Sequence, residues 1–111
     1  MCVSLAHDIT SKKGPGNTAA GVFTQPHALG YVLTALEEAI ARGDISADQV
    51  TDEVLAGFFS AYGRAFYGVA PATRQIRLTR GAAKVEEGLV GGGVEIVPFR
   101  AGEVTWGVEW L

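Results

Sequence analysis

His7 is the first residue in the chain able to do chemistry. It follows the short apolar run Cys2–Ala6 and opens a polar, glycine-rich loop within the stretch Ser4–Phe23, SLAHDITSKKGPGNTAAGVF. The small residues Ala19, Ala20 and Gly21 follow, and small residues let a ligand come close to the backbone. A strand that runs through a polar loop into a helix is the βα corner where α/β enzymes place their sites. The other candidates are sparse: Cys2, His27, scattered carboxylates, and Lys12 and Lys13 beside Gly14-Pro15-Gly16. Composition makes that lysine pair a solvated loop tip. On chemistry alone, one histidine beside a glycine loop is a weak signal.

A metal centre asks for more. A closed zinc site takes four ligands and a catalytic one at least three. The chain has no HxH, HExxH or CxxC, and His7 and His27 lie far apart in sequence, so no metal centre is expected in this chain alone. The net charge of −3 argues against a general nucleic-acid binder. No apolar run approaches the length of about 18 residues that a membrane span needs. Met1–Ala6 is too short for the apolar core of a signal peptide. Cys2, as the single cysteine, excludes an internal disulfide and fits a reducing cytoplasm. With 111 residues, 48% of them hydrophobic, the chain is one domain or part of one, and disorder is not expected.

The elements that must position these residues follow in order. Cys2–Ala6 reads as a buried strand, which needs neighbours on both edges. A first helix should start near Pro26, with Leu29, Val32, Leu33, Leu36 and Ile40 on one face and Glu37, Glu38 and Arg42 on the other. Gly43 should cap it, and His27 in its first turn reads as structural or exposed. A second helix should open with the S-x-x-Q pattern of Ser46–Gln49 and carry Val50, Val54, Phe58 and Tyr62, with Leu55 and Phe59 beside them. Gly57 and Gly63 weaken it, so a break is expected near Ser60 and an end at Phe66-Tyr67-Gly68. The aromatic stripe reads as core.

After Pro71 the period changes to two. Gln75–Thr79 and Val94–Phe99 read as strands, Gly88–Gly93 as a flexible turn, and Val104, Trp106, Val108 and Trp110 as one face of a third strand. Arg74, Arg77, Arg80 and Lys84 make a basic run whose simplest reading is a solvated strand face. A βαα segment, residues 1–70, thus precedes a small antiparallel β segment, residues 71–111. That order reads better as the tail of a larger α/β barrel than as a free-standing domain, although the isolated chain would be α+β.

Several segments together resemble the C-terminal end of dihydroorotase, in the bacterial and fungal single-function form. They are Ala6-His7, Ala20-Gly21-Val22-Phe23, Phe66-Tyr67-Gly68, Ile76–Arg80 and Val97–Glu103, with Trp106 and Val108 after them. The resemblance implies a zinc-dependent amidohydrolase of pyrimidine biosynthesis built as a (β/α)₈ TIM barrel. Cys2–Ala6 would be its eighth strand and the first helix its eighth helix. It implies two zinc ions in the complete enzyme, held by earlier strands, and a cytoplasmic location. In the family's D-S-A-P-H pattern the histidine grips the substrate carboxylate, and a later alanine offers its backbone to the same ligand; His7 and Ala20 match them. The pattern's aspartate, the general base, falls on Val3, and Asp8 stands one residue past His7. The chain alone would therefore lack turnover.

Two readings follow. In one, the chain is a fragment of an enzyme that interconverts N-carbamoyl-L-aspartate and dihydroorotate, its partner being the missing barrel portion or a second copy. In the other, it is a metal-free, non-catalytic α+β binding module derived from a barrel. Neither calls for nucleic acid or a membrane.

Overall fold

The computed structural model describes residues 23–111. A 3₁₀ turn, Gln25–His27, leads into α1, Ala28–Arg42. Pro26 suits that turn because its missing N–H is one that a helix start leaves unpaired. Gly43 ends α1 in the left-handed region, with φ 80°. Its N–H reaches Ile40 O at 3.0 Å, and Asp44 N–H reaches Ala39 O at 3.0 Å. Two of the last carbonyls are thereby satisfied, as in a Schellman cap.

The second helix begins later than the S-x-x-Q pattern predicts. Gln49 Oε1 accepts from the Ser46 N–H at 2.9 Å, but this closure supports only a 3₁₀ turn, Ala47–Gln49. Val50 then leaves helical geometry at φ −103°, ψ 82°. Thr51 provides the working cap, its Oγ1 accepting from Val54 N–H at 3.3 Å ahead of α2, Asp52–Ala56. Asp52 and Glu53 sit in the first turn, where carboxylates suit the helix dipole. The expected break near Ser60 is a π turn over Gly57–Ala61, after which α3 runs over Tyr62–Phe66. The Tyr62 ring occupies the place where a Gly57 side chain would stand.

Four strands follow: β1 Ile76–Lys84, β2 Leu89–Gly91, β3 Val94–Ile96 and β4 Val104–Trp110. They form two antiparallel, two-stranded sheets, β1–β4 and β2–β3. The expected flexible turn at Gly88–Gly93 therefore contains a strand, and only Gly92-Gly93, both at positive φ, make the turn itself. β3 stops at Ile96, short of the expected Phe99, because Pro98 cannot extend a ladder. In β1–β4, Thr79 pairs with Gly107 but Ala83 pairs with Thr105. β1 bulges between them, with Gly81 at φ 70°. The described residues thus form an α+β arrangement, with no closed barrel among them.

β4 also departs from expectation in what it buries. Val104, Val108 and Trp110 are exposed, and the buried position is Thr105. The reason lies on α1, which packs against β4. A side chain on Gly30 would stand 2.6 Å from Thr105 Oγ1 and 3.2 Å from Trp106 O, so the helix can approach only because Gly30 has none. Leu33, one helical turn on, and Val85, just past the end of β1, are buried apolar side chains, 5% and 1% exposed. By contrast Phe66 is 78% exposed and Trp110 62%. So small a core leaves much apolar surface in water.

Two glycine substitutions separate close approach from helix propensity. Gly63→Ala in α3, with nothing within 4 Å of the added carbon, is expected to stabilise by up to about 1 kcal/mol. Gly30→Ala is expected to destabilise by about 1–3 kcal/mol despite the same gain in propensity. Denaturant midpoints of the two variants check this, and a stabilised Gly30→Ala contradicts the packing described.

Candidate functional site

His7 and Ala20, the candidate carboxylate-binding residues, lie outside the described residues, as do Val3, Asp8 and the run Cys2–Ala6. The structure does describe the helix that follows them and the C-terminal segment Val97–Glu103. These two meet along a polar seam. Pro98 is buried, and the Tyr31 hydroxyl of α1 donates to the Phe99 carbonyl at 2.8 Å. The Tyr31 and Phe99 rings pack edge to face, with centroids 5.4 Å apart.

Arg100 takes φ 57°, unusual for a residue with a side chain. Its guanidinium makes use of that turn. Nη2 donates to Glu38 Oε1 on α1 at 2.6 Å, and Nε donates to Glu103 Oε2 at 2.5 Å. The hydrogen bond and charge of Arg100 hold the Glu38 carboxyl below the usual carboxylate range. The two carboxylates in turn raise the Arg100 pKa and keep it charged. Burial raises the Tyr31 phenol, with the negative charge of Glu86 adding to it and Arg100 opposing. At the start of the helix, His27 Nε2 lies 2.9 Å from Glu86 Oε2. That hydrogen bond lowers the Glu86 carboxyl.

A second knot joins α1 to β4. Trp106 Nε1 donates to Glu37 Oε2 at 3.1 Å, and Glu37 Oε1 meets Arg80. The Arg80 guanidinium lies 5.1 Å from the Trp106 ring centroid, which closes a triangle of three side chains. Sequence reasoning placed Glu37 and Glu38 on the side of the helix away from its apolar face. They are the side chains through which α1 grips the strands. The basic run on β1 is exposed as expected, yet Arg77 pairs with Glu109 and Lys84 with Glu87. His27 holds the structural role expected of it. Arg100 was missed; the one available signal was its place beside Gly102 in a tight turn.

These groups position elements and do not assemble a reaction centre. No group of three His, Cys, Asp or Glu side chains able to hold a metal occurs among the described residues. Nor is any helix among them long and apolar enough to cross a membrane.

Similarity to curated proteins runs over nearly the whole chain. It is 34% identical over 101 residues to a dihydroorotase of Hahella chejuensis, matching 90% of this chain and 26% of that protein. It is 28% identical over 113 residues to a dihydroorotase of Saccharomyces cerevisiae, matching 96% of this chain and 28% of that protein. The chain thus spans about a quarter of the length of the curated relatives it matches. No family model and no solved structure matches it.

The Arg100 clasp has a signature in acid. A carboxyl lowered by folding contributes stability that is present above its unfolded pKa and lost as pH falls through the folded value. Between about pH 6 and pH 3 the unsubstituted chain should therefore lose stability more steeply than Arg100→Gln, in which Glu38 loses its partner. Denaturation midpoints across that range check it. Equal slopes contradict the clasp.

Proposed function

We propose that this chain is the C-terminal portion of a dihydroorotase-type cyclic amidohydrolase, of which residues 1–70 are the last βα unit of a TIM barrel and residues 71–111 an appended strand segment. The observation that carries this is the similarity to two dihydroorotases over at least 90% of the chain. The exposed apolar surface supports it, because a piece of a larger barrel leaves uncovered the faces its neighbours would bury. In the complete cytoplasmic enzyme, His7 donates to the carboxylate of dihydroorotate or N-carbamoyl-L-aspartate, and Ala20 offers its backbone to the same group. The metal ligands belong to the missing strands. Val3 stands where the general base belongs and cannot accept a proton, so the chain as written contributes substrate binding and not proton transfer. In-frame or spliced sequence upstream of Met1 should encode the earlier strands, with HxH among them.

A graft tests the assignment residue by residue. The chain is placed in the Hahella chejuensis dihydroorotase in exchange for the quarter it matches, and dihydroorotate hydrolysis is assayed. The unmodified graft should be inactive, and Val3→Asp should restore turnover. Adding His7→Ala to the restored enzyme should lower kcat/KM by roughly 100-fold, about the cost of truncating a charge-assisted contact. A graft that stays dead with Val3→Asp, while binding zinc and folding as the parent does, overturns the assignment.

A further inference from the structure

The described cations fall into two sets. Arg42, Arg77, Arg80, Lys84 and Arg100 each pair with a carboxylate. Among the described residues Arg64 and Arg74 pair with none. Arg64 Nη1 donates to the Ala70 carbonyl at 2.7 Å, and the Arg74 guanidinium lies 4.2 Å from the Trp110 ring centroid. Both line the same open groove, about 480 Å³ in volume, between the α2–α3 segment and the β1–β4 pair. Phe59, Ile76, Val108 and Trp110 supply its apolar wall, and Ser60 adds a hydroxyl. An adjoining groove of about 850 Å³ shares the two arginines but has Asp52 in its wall, which disfavours an anion there.

Guanidinium groups without a counter-charge beside apolar surface ask for one kind of ligand. A carboxylate can take two parallel N–H donors from one guanidinium. Water is partly displaced along the apolar wall, so the attraction is stronger there than in bulk solvent. An inorganic anion would satisfy the charge and leave the wall wet, whereas a neutral amphiphile would cover the wall and leave the charge unmet. The volume falls within the range of about 300–1,000 Å³ typical of small-molecule sites. We propose that this groove binds an amphipathic organic carboxylate, its head on Arg64 and Arg74 and its hydrocarbon body along Phe59, Ile76, Val108 and Trp110. The site is independent of the dihydroorotase reading and uses neither His7 nor Ala20.

Trp110 in the wall makes binding visible by tryptophan fluorescence. The full chain is titrated with octanoate, 1-octanol and inorganic phosphate. Octanoate should bind saturably and at least about tenfold more tightly than octanol, a factor equal to ~1.4 kcal/mol. Phosphate should leave the fluorescence unchanged. Arg64→Gln and Arg74→Gln, each verified by circular dichroism, should bring octanoate to the level of octanol, and Arg42→Gln, whose arginine lies outside the groove, should not. The comparison of octanoate with octanol on the unsubstituted chain decides the matter even where a variant misfolds. Equal affinities, no saturable octanoate signal, phosphate binding as tight as octanoate, or a preference that survives both groove substitutions overturns the proposal.

Discussion

The described structure depends on one close approach, that of α1 to β4 at Gly30. Leu33 is buried and the Trp106 indole reaches Glu37 because the helix sits near enough for both. A single methyl group at Gly30 would meet Thr105 Oγ1 and the Trp106 carbonyl. Once that contact is made, the polar side of α1 is carried to the strands. Glu37 meets Arg80, Glu38 meets Arg100, and Tyr31 meets the Phe99 carbonyl. The cost appears on Thr105, whose buried hydroxyl finds no hydrogen-bond partner among the described residues.

The same geometry explains why polar links carry so much of the tertiary structure. Among the described residues Leu33 and Val85 make a small apolar core, while Phe66, Val90 and Trp110 stay largely in water. Surface ion pairs each contribute little, with a median near 0–1 kcal/mol. The Arg100 clasp differs from them in geometry, since one partly buried guanidinium serves two carboxylates, Glu38 on α1 and Glu103 in its own turn.

Periodicity and local chemistry were enough to place most elements. The apolar repeat through Leu29, Leu33 and Leu36, closed by Gly43, marked α1, and Gly57 marked the interruption after α2. Both signals are local: a left-handed cap and a weakened helix need no distant partner. Alternation also located β1 and β4. β3 lay within the expected strand Val94–Phe99, but β2, Leu89–Gly91, was hidden because it sits among glycines that read as turn.

From the sequence alone came the order of helices before antiparallel strands, the lack of a metal-ligand spacing, and the resemblance from which His7 and Ala20 are proposed as carboxylate-binding residues. Only the tertiary structure decided that Thr105 is the buried position on β4, that Glu37 and Glu38 grip the strands, and that Arg64 and Arg74 share one groove. The reason is physical. Helix caps and strand alternation are set by residues a few positions apart, whereas Glu38 and Arg100 lie 62 positions apart and meet only after α1 docks. No period in the chain encodes which side of a helix that docking will choose.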